Sequence, residues 1–310
     1  MSLSFKTALL SFLLILVLVS YSAGKPVVAL IKSKNIAPYN MAGEAFKDRM
    51  KGKANIIEYV LDDFHDKKLL YQKIRAFKPD LIFVVGASAL KILFSEFTET
   101  PIIFSVVLNP VKLKLIDSWT EPGRNLTGIA LNISYEIQFS WIKKILPAAT
   151  RVGIIYKIGW DVQSLEKAAK AAERSGLKLV SQKIDGTKDL LPALKNLSRH
   201  SDILLGIPDL GVYNRKTLKQ ILLFTLRNRI PFMAISEQHV KAGAFFCLSV
   251  DYKEQGECAA EMAKTIFKGF DPAAIPVKRP DNLKLAINLK TAKRLGIKIN
   301  TEFLENAVLY

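Results

Sequence analysis

Past its first two dozen residues, the chain alternates short apolar stretches with segments whose apolar residues recur every three or four positions. PVVALIK (26–32), ANIIEYV (54–60), DLIFVVG (80–86) and PIIFSVV (101–107) read as strands. The last two are unbroken apolar runs, the pattern of strands covered on both faces. Between the strands lie a helix near residues 40–50, the segment DKKLLYQKIRAF and the short SALKILFSEF. In the second of these Leu69, Leu70, Ile74 and Phe77 fall at helical spacing. A βαβαβαβ series of this kind predicts a doubly wound parallel sheet.

After EPGRNLTG, which reads as a turn-rich passage, the order starts again. RVGIIYK (151–157) is a strand, SLEKAAKAAERSG an Ala-rich helix stopped at Gly176, and LKLVSQKI, DILLGIP and PFMAIS further strands. KPDLIFVVGAS matches HSDILLGIPD in design, and TPIIFSVVLNP matches RIPFMAISE. Each has a polar start, an apolar strand and a polar turn at its C-terminal end. These are two similar α/β lobes, not a repeat array. The tail, with AFFCLSV, the helix YKEQGECAAEMAKTIFKG, IPVKRP and LKLAINLKTAKRLG, is too short for a third domain. It is expected to complete both lobes. Lobe 1 is then 25–128 plus 248–278, and lobe 2 is 129–247 plus 279–310. Several crossings form a hinge, and the strand ends face each other across a cleft that closes by hinge motion.

The N-terminal MSLSFKTALLSFLLILVLVSYSAGK has Lys6 as a positive n-region, an apolar core from Ala8 to Val19 and small residues at Ser22 and Gly24. That core is shorter than the roughly 18–20 residues of a membrane span, so residues 1–24 are expected to be a cleaved signal peptide. No cysteine is near it to take a lipid, and a periplasmic location follows. The formal net charge is +17, and the lysines are scattered as on a solvated cationic surface. No Lys/Arg run with interleaved aromatics points to nucleic acid. Cys247 and Cys258 are the only cysteines and both read as buried on separate elements, favouring free thiols although export permits a bridge. His65, His200 and His239 share no ligand spacing, so no metal is expected.

No catalytic motif is present: the chain lacks G-x-S-x-G, G-x-x-x-x-G-K-[ST], H-E-x-x-H and G-x-G-x-x-G. Candidate ligand contacts lie instead at C-terminal strand ends, where open α/β sheets bind ligands. Ser88 in VVGAS is either a helix N-cap or a contact made with neighbouring amides. Asn109 in VVLNP either fills a turn position or meets the ligand. Tyr156 and Trp160 in IIYKIGWD offer aromatic surface on a loop, which packs on a helix or stacks on a planar ligand. Asp209 in GIPD either caps the helix expected from about 212 or accepts from a ligand ammonium, with Tyr213 walling the same pocket. Ser236 and Glu237 in AISEQHV carry the same ambiguity.

FSVVLNPVKLKLIDSWTEPGRNLTGI with LPAATRVGIIY, then AGAFFCLSVDYKEQGECAAEMAKTIFKGFDPAAIPV and LAINLKTAKRLGI, resemble the ABC transporter substrate-binding proteins that include tryptophan- and tyrosine-type binders. The resemblance runs over essentially all of the chain past the leader. It implies a type I periplasmic-binding-protein-like fold of two Rossmann-like lobes joined by a multi-crossover hinge. It also implies a monomer that holds a small molecule, such as an amino acid, and passes it to a membrane permease, with no cofactor. Ser88 matches the family's Ser or Thr after the third strand, and Asp209 an aspartate that faces ligand in amino-acid binders. Asn109–Pro110 stands where Asp-Pro is common, and Lys157 departs from a Tyr-Asn-Pro-Gly-Glu pattern in which Tyr156 and Gly159 persist. These departures leave a more anionic ligand open. Two alternatives remain: a sensor that presents its closed form to a receptor such as a kinase, and an enzyme using the cleft. The second requires a nucleophile–base pair, and none can be named.

Overall fold

The structure is a computed structural model describing residues 24–310, so the expected leader, Gly24 apart, lies outside the described residues. The chain divides into two compact units, one running to Gly128 and including Gly256–Val277, the other Ile129–Gln255 with Lys278–Tyr310. It therefore passes between them three times.

The first unit is built from β1 (Val27–Lys32), α1 (Ala37–Met50), β2 (Asn55–Val60), α2 (Lys67–Ala76), β3 (Leu81–Val85), α3 (Ala87–Glu96), β4 (Ile102–Val107) and β5 (Leu126–Ala130). Its strands lie in the order β2-β1-β3-β4-β5. β1 runs parallel to β2 and β3, and β3 to β4, with Val28 opposite Ile56 on one side and Leu81 on the other. β3 and β4 are buried along their whole length, which is why they read as unbroken apolar runs. Phe46 of α1 stacks on Phe83 of β3, ring centroids 4.2 Å apart.

The second unit holds α4 (Tyr135–Ile145), β6 (Arg151–Lys157), α5 (Val162–Arg174), β7 (Lys178–Ile184), α6 (Leu190–His200), β8 (Ile203–Leu205), α7 (Arg215–Arg227), β9 (Phe232–Ala234), α8 (Glu237–Lys241) and β10 (Phe246–Val250). After α9 (Tyr252–Phe267), which straddles the boundary, come β11 (Leu283–Ile287), α10 (Leu289–Leu295) and β12 (Val308–Leu309). The strand order is β12-β11-β10-β9-β8-β6-β7. Side chains such as Phe139, Ile154, Leu204, Phe232 and Phe246 join one apolar cluster. Gly176, at φ +68°, follows the C-cap of α5 and ends that helix as expected.

The polar starts noted in KPDLIF and HSDILL have a shared cause. Asp80, at the entry to β3, accepts the Val27 amide of β1 at 2.8 Å. Asp202, at the entry to β8, accepts the amides of Thr150 and Arg151 at the entry to β6, at 2.8 and 2.9 Å. Each aspartate pins the first and third strands of its unit together at their N-terminal ends.

Four expectations are corrected. The turn-rich EPGRNLTG runs into β5, whose burial at all five positions makes it a core strand. Helix α4 occupies a stretch in which the sequence pattern predicts no element; Ser134 caps it and it buries Phe139, Ile142 and Ile145. The second sheet is not wholly parallel, because β10 and β11 run antiparallel, with Leu248 opposite Leu285. Finally, a boundary at 248 cuts through β10, which is hydrogen-bonded to β9 and β11; the chain leaves the second unit after Gln255 instead.

Candidate functional site

In a doubly wound sheet the natural crevice lies at the carboxyl ends of the strands where the order reverses. In the first unit that point is between β1 and β3; in the second it is between β6 and β8.

At the first, α3 begins directly after β3. Its N-cap is Gly86 at φ +99°, and a Cβ there would come within 2.8 Å of the Tyr39 ring and 2.7 Å of Ser33 Oγ. Only glycine fits this close approach. The cap bond comes from across the reversal, as the Ala89 amide donates to Ser33 Oγ at 2.9 Å. Ser88 is therefore not the cap; it lies in the first turn of α3 with its side chain exposed. Beneath α1, the buried Lys32 Nζ donates to Asn40 Oδ1 at 2.7 Å and pairs with Glu58 at 2.6 Å. Burial raises the Glu58 carboxyl, but hydrogen bonds from Lys32 and Lys47 outweigh it and hold it below its ordinary value. At the end of β4, Val106 and Asn109 both have positive φ, 56° and 53°. Asn109 so takes the turn conformation that was one of its two readings; for the β-branched Val106 this backbone is strained.

At the second reversal the decisive side chain is Asp209. It is 6% exposed. Its Oδ2 accepts the Lys157 amide at the end of β6 at 2.7 Å, and its Oδ1 accepts the Gly211 amide at 2.9 Å. It does not cap α7, which starts later and is capped by Asn214, whose Oδ1 accepts from Lys216 and Thr217. Asp209 instead clamps the two strand-end loops and shapes a turn in which its carbonyl accepts from Val212 and Tyr213. Between the clamped residues stands Leu210, 79% exposed.

Tyr213 is not a pocket wall. It is 5% exposed, stacks on Phe232 at 6.2 Å and donates to the Leu205 carbonyl at 3.3 Å; burial drives its phenol pKa well up. Tyr156 and Trp160 are half-buried and pack against the core of the second unit. Ser236 caps α8 through the His239 amide, and Glu237 accepts from Ser249 Oγ at 2.6 Å and Tyr310 OH at 3.4 Å. Cys247 and Cys258 form no disulfide; Cys247 is buried, which pushes its thiol up to about 12, whereas Cys258 is only half-buried.

Sequence reasoning passed over the apolar residues of these loops. Ile36 and Met41 follow β1, Leu108, Val111 and Leu113 follow β4, and Ile158 and Val162 flank the turn after β6; all are exposed, as is Leu210. Large exposed apolar side chains on and just beyond strand-end loops offer a surface for contact. The signal was legible as apolar residues inside segments that carry turn-forming residues, as in LNPVKL, IGWD and GIPDLG. Ser105 was also missed: its hydroxyl is fully buried inside β4 without a hydrogen-bond partner, a polar break in IIFSVV. Among the described residues no cluster of three metal-ligating side chains occurs, and no helix is long and apolar enough to cross a membrane.

A model of the family described as ABC transporter substrate binding protein matches residues 46–309. The chain belongs to that family. A tyrosine-binding protein of Clostridioides difficile (strain R20291) is 26% identical over 224 residues, 71% of this chain and 64% of that protein. Among solved structures, the ligand-free, open form of a substrate-binding protein with adhesive properties from Clostridium difficile superimposes with a TM-score of 0.78 at 21% identity. That match covers 92% of this chain and 99% of the other. An ABC domain in complex with L-Trp from Streptococcus pneumonia gives 0.64 at 19% identity, with the same coverage of both chains. These likenesses give the family a shared fold: two α/β lobes of the type I periplasmic-binding-protein kind, with mostly parallel sheets.

Proposed function

We propose that this substrate-binding protein captures a small molecule, an amino acid or a close relative, between the strand-end surfaces of its two units and hands it to a membrane permease without transforming it. The observation that carries the reading is the family match together with the exposed apolar residues on both sets of strand-end loops. In this reading the first turn of α3, with Ser88, receives the ligand's carboxylate. Asn109 offers an amide to a second polar group. Leu210, Trp160 and Tyr156 supply the apolar wall, while Asp209 holds the loops in place and does not act as the ligand's counter-ion. Ser236 and Glu237, bonded within the second unit, serve that unit's frame. Binding stabilises the closed arrangement, a shift of population that a permease can read. The protein is exported and works outside the cytoplasm.

Native mass spectrometry of the purified protein, followed by a thermal-shift screen of amino acids, nucleosides and small anions, tests this. A micromolar ligand at millimolar concentration adds about 4 kcal/mol of stability. An amino acid producing such a shift is the expected result. No stabilising compound, or turnover of one of them, overturns the reading.

A further inference from the structure

A marked charge asymmetry lies on two helices of the second unit. α7 and α10 pack against each other, and α10 is tied to α8 by Asn288 Nδ2 donating to the Val240 carbonyl at 2.8 Å. A second tie, from Thr291 Oγ1 to the Gly243 carbonyl, measures 3.0 Å. Helix α7 exposes Arg215, Lys216, Lys219 and Arg227; α10 exposes Lys290, Lys293 and Arg294. Neither helix contains an Asp or Glu. At about 100° per residue, the exposed positions of each helix fall within one outward arc of roughly 140°. Leu223, 44% exposed, sits near the centre of the α7 arc, and Leu289, 38% exposed, at the edge of the α10 arc.

None of these seven cations takes part in an ion pair among the described residues, whereas Lys32, Lys47, Arg49, Arg75 and Lys264 of the first unit all do. The acid on α8, Glu237, is already engaged by Ser249 and Tyr310. The result is a broad, unneutralised positive face with apolar side chains among its charges. Protein interfaces use aromatic anchors in pockets and are depleted in lysine. A lysine-rich helical face without exposed aromatics instead fits a diffuse anionic surface, which long flexible cations reach and into which leucines can dip.

We propose that the α7–α10 face docks the protein on the anionic phospholipid surface of a membrane. The inference does not rest on the ligand proposed above. The test is cosedimentation of the chain from Gly24 onward, which contains every element described here, with phosphatidylcholine vesicles and with vesicles carrying about one-third phosphatidylglycerol. Binding to the anionic vesicles at least tenfold above the neutral ones, lost as salt shortens the Debye length, is expected. Each Lys or Arg near such a surface is worth about fivefold in partition. The triple variant Lys219→Gln, Lys293→Gln, Arg294→Gln should therefore bind roughly 100-fold more weakly. A control of equal charge loss on exposed lysines elsewhere, Lys51→Gln, Lys91→Gln, Lys178→Gln, should stay within about threefold. Circular dichroism and melting establish that both variants are folded. Equal binding to the two vesicle types, an equal loss in the control, or tighter binding to a short DNA duplex at the same salt overturns the proposal.

Discussion

At the scale of single residues, Asp209 shows how a side chain at the carboxyl end of a strand can work through the backbone. Its two oxygens accept from the amides of Lys157 and Gly211, and Leu210 is thereby presented to solvent. Replacing Asp209 by Ala strands two amides and should lower stability by about 1–3 kcal/mol, with ligand affinity falling alongside. Leu210→Ser should leave stability within about 0.5 kcal/mol yet weaken an apolar ligand contact by roughly tenfold. Chemical denaturation and ligand-induced thermal shifts on the two variants separate frame from contact. An Asp209→Ala protein of undiminished stability sinks the clamp. The sequence placed Asp209 at the right strand end, but one of its two partners, the Lys157 amide, lies 52 residues earlier at the end of β6, and spacing alone does not register such a bond. Tyr213 misled for the opposite reason: its aromatic ring beside a turn looked available, while the turn in fact folds it into the core.

At the scale of elements, Asp80 and Asp202 repeat one device, an aspartate at the entry of the third strand holding the first. The Asp202 carboxyl is pulled two ways: burial raises it, while the Arg151 side chain and the Thr150 and Arg151 groups lower it further, to about 2. A depressed folded-state pKa means stability that is present above the unfolded value near 4 and lost as pH falls toward 2. Asp202→Asn should accordingly cost about 1 kcal/mol at neutral pH, discounted for its partial exposure. The difference from the parent should shrink to nothing between about pH 4 and pH 2 in melts run across that range. A deficit that persists at pH 2 contradicts the assignment. The strands themselves were legible because two-sided burial writes unbroken apolar runs. β5 was not, since a strand of Leu, Thr, Gly, Ile and Ala behind a Pro-Gly turn carries little of that signature. β12, two residues long, carries none.

At the scale of the whole molecule, the first unit is discontinuous. Gly256 of α9 sits so close to α1 that a Cβ would fall 2.0 Å from the Ala42 carbonyl oxygen, so the two helices meet backbone to backbone. Arg49 pairs with Glu257 at 3.1 Å, Thr127 Oγ1 donates to the Ile275 carbonyl, and the Val277 amide donates to Trp119. A fragment ending at Gly128 lacks all of this cover. It should give no cooperative melt, whereas addition of a segment spanning 256–277 should restore one; a sharp transition for the fragment alone refutes the dependence. The doubling of the fold was visible in paired strand designs, but the exact crossing at Gln255 was not, because β10 and α9 follow each other with no turn residues richer than Asp251 between them.

The same discontinuity sets a clock on synthesis. Emerging from the ribosome, the first 128 residues must wait for residue 277 before their helix layer can close. At about 5–20 residues per second that delay is roughly 7–30 s. Throughout it the apolar flank of α1 is open to whatever holds or hauls nascent chains.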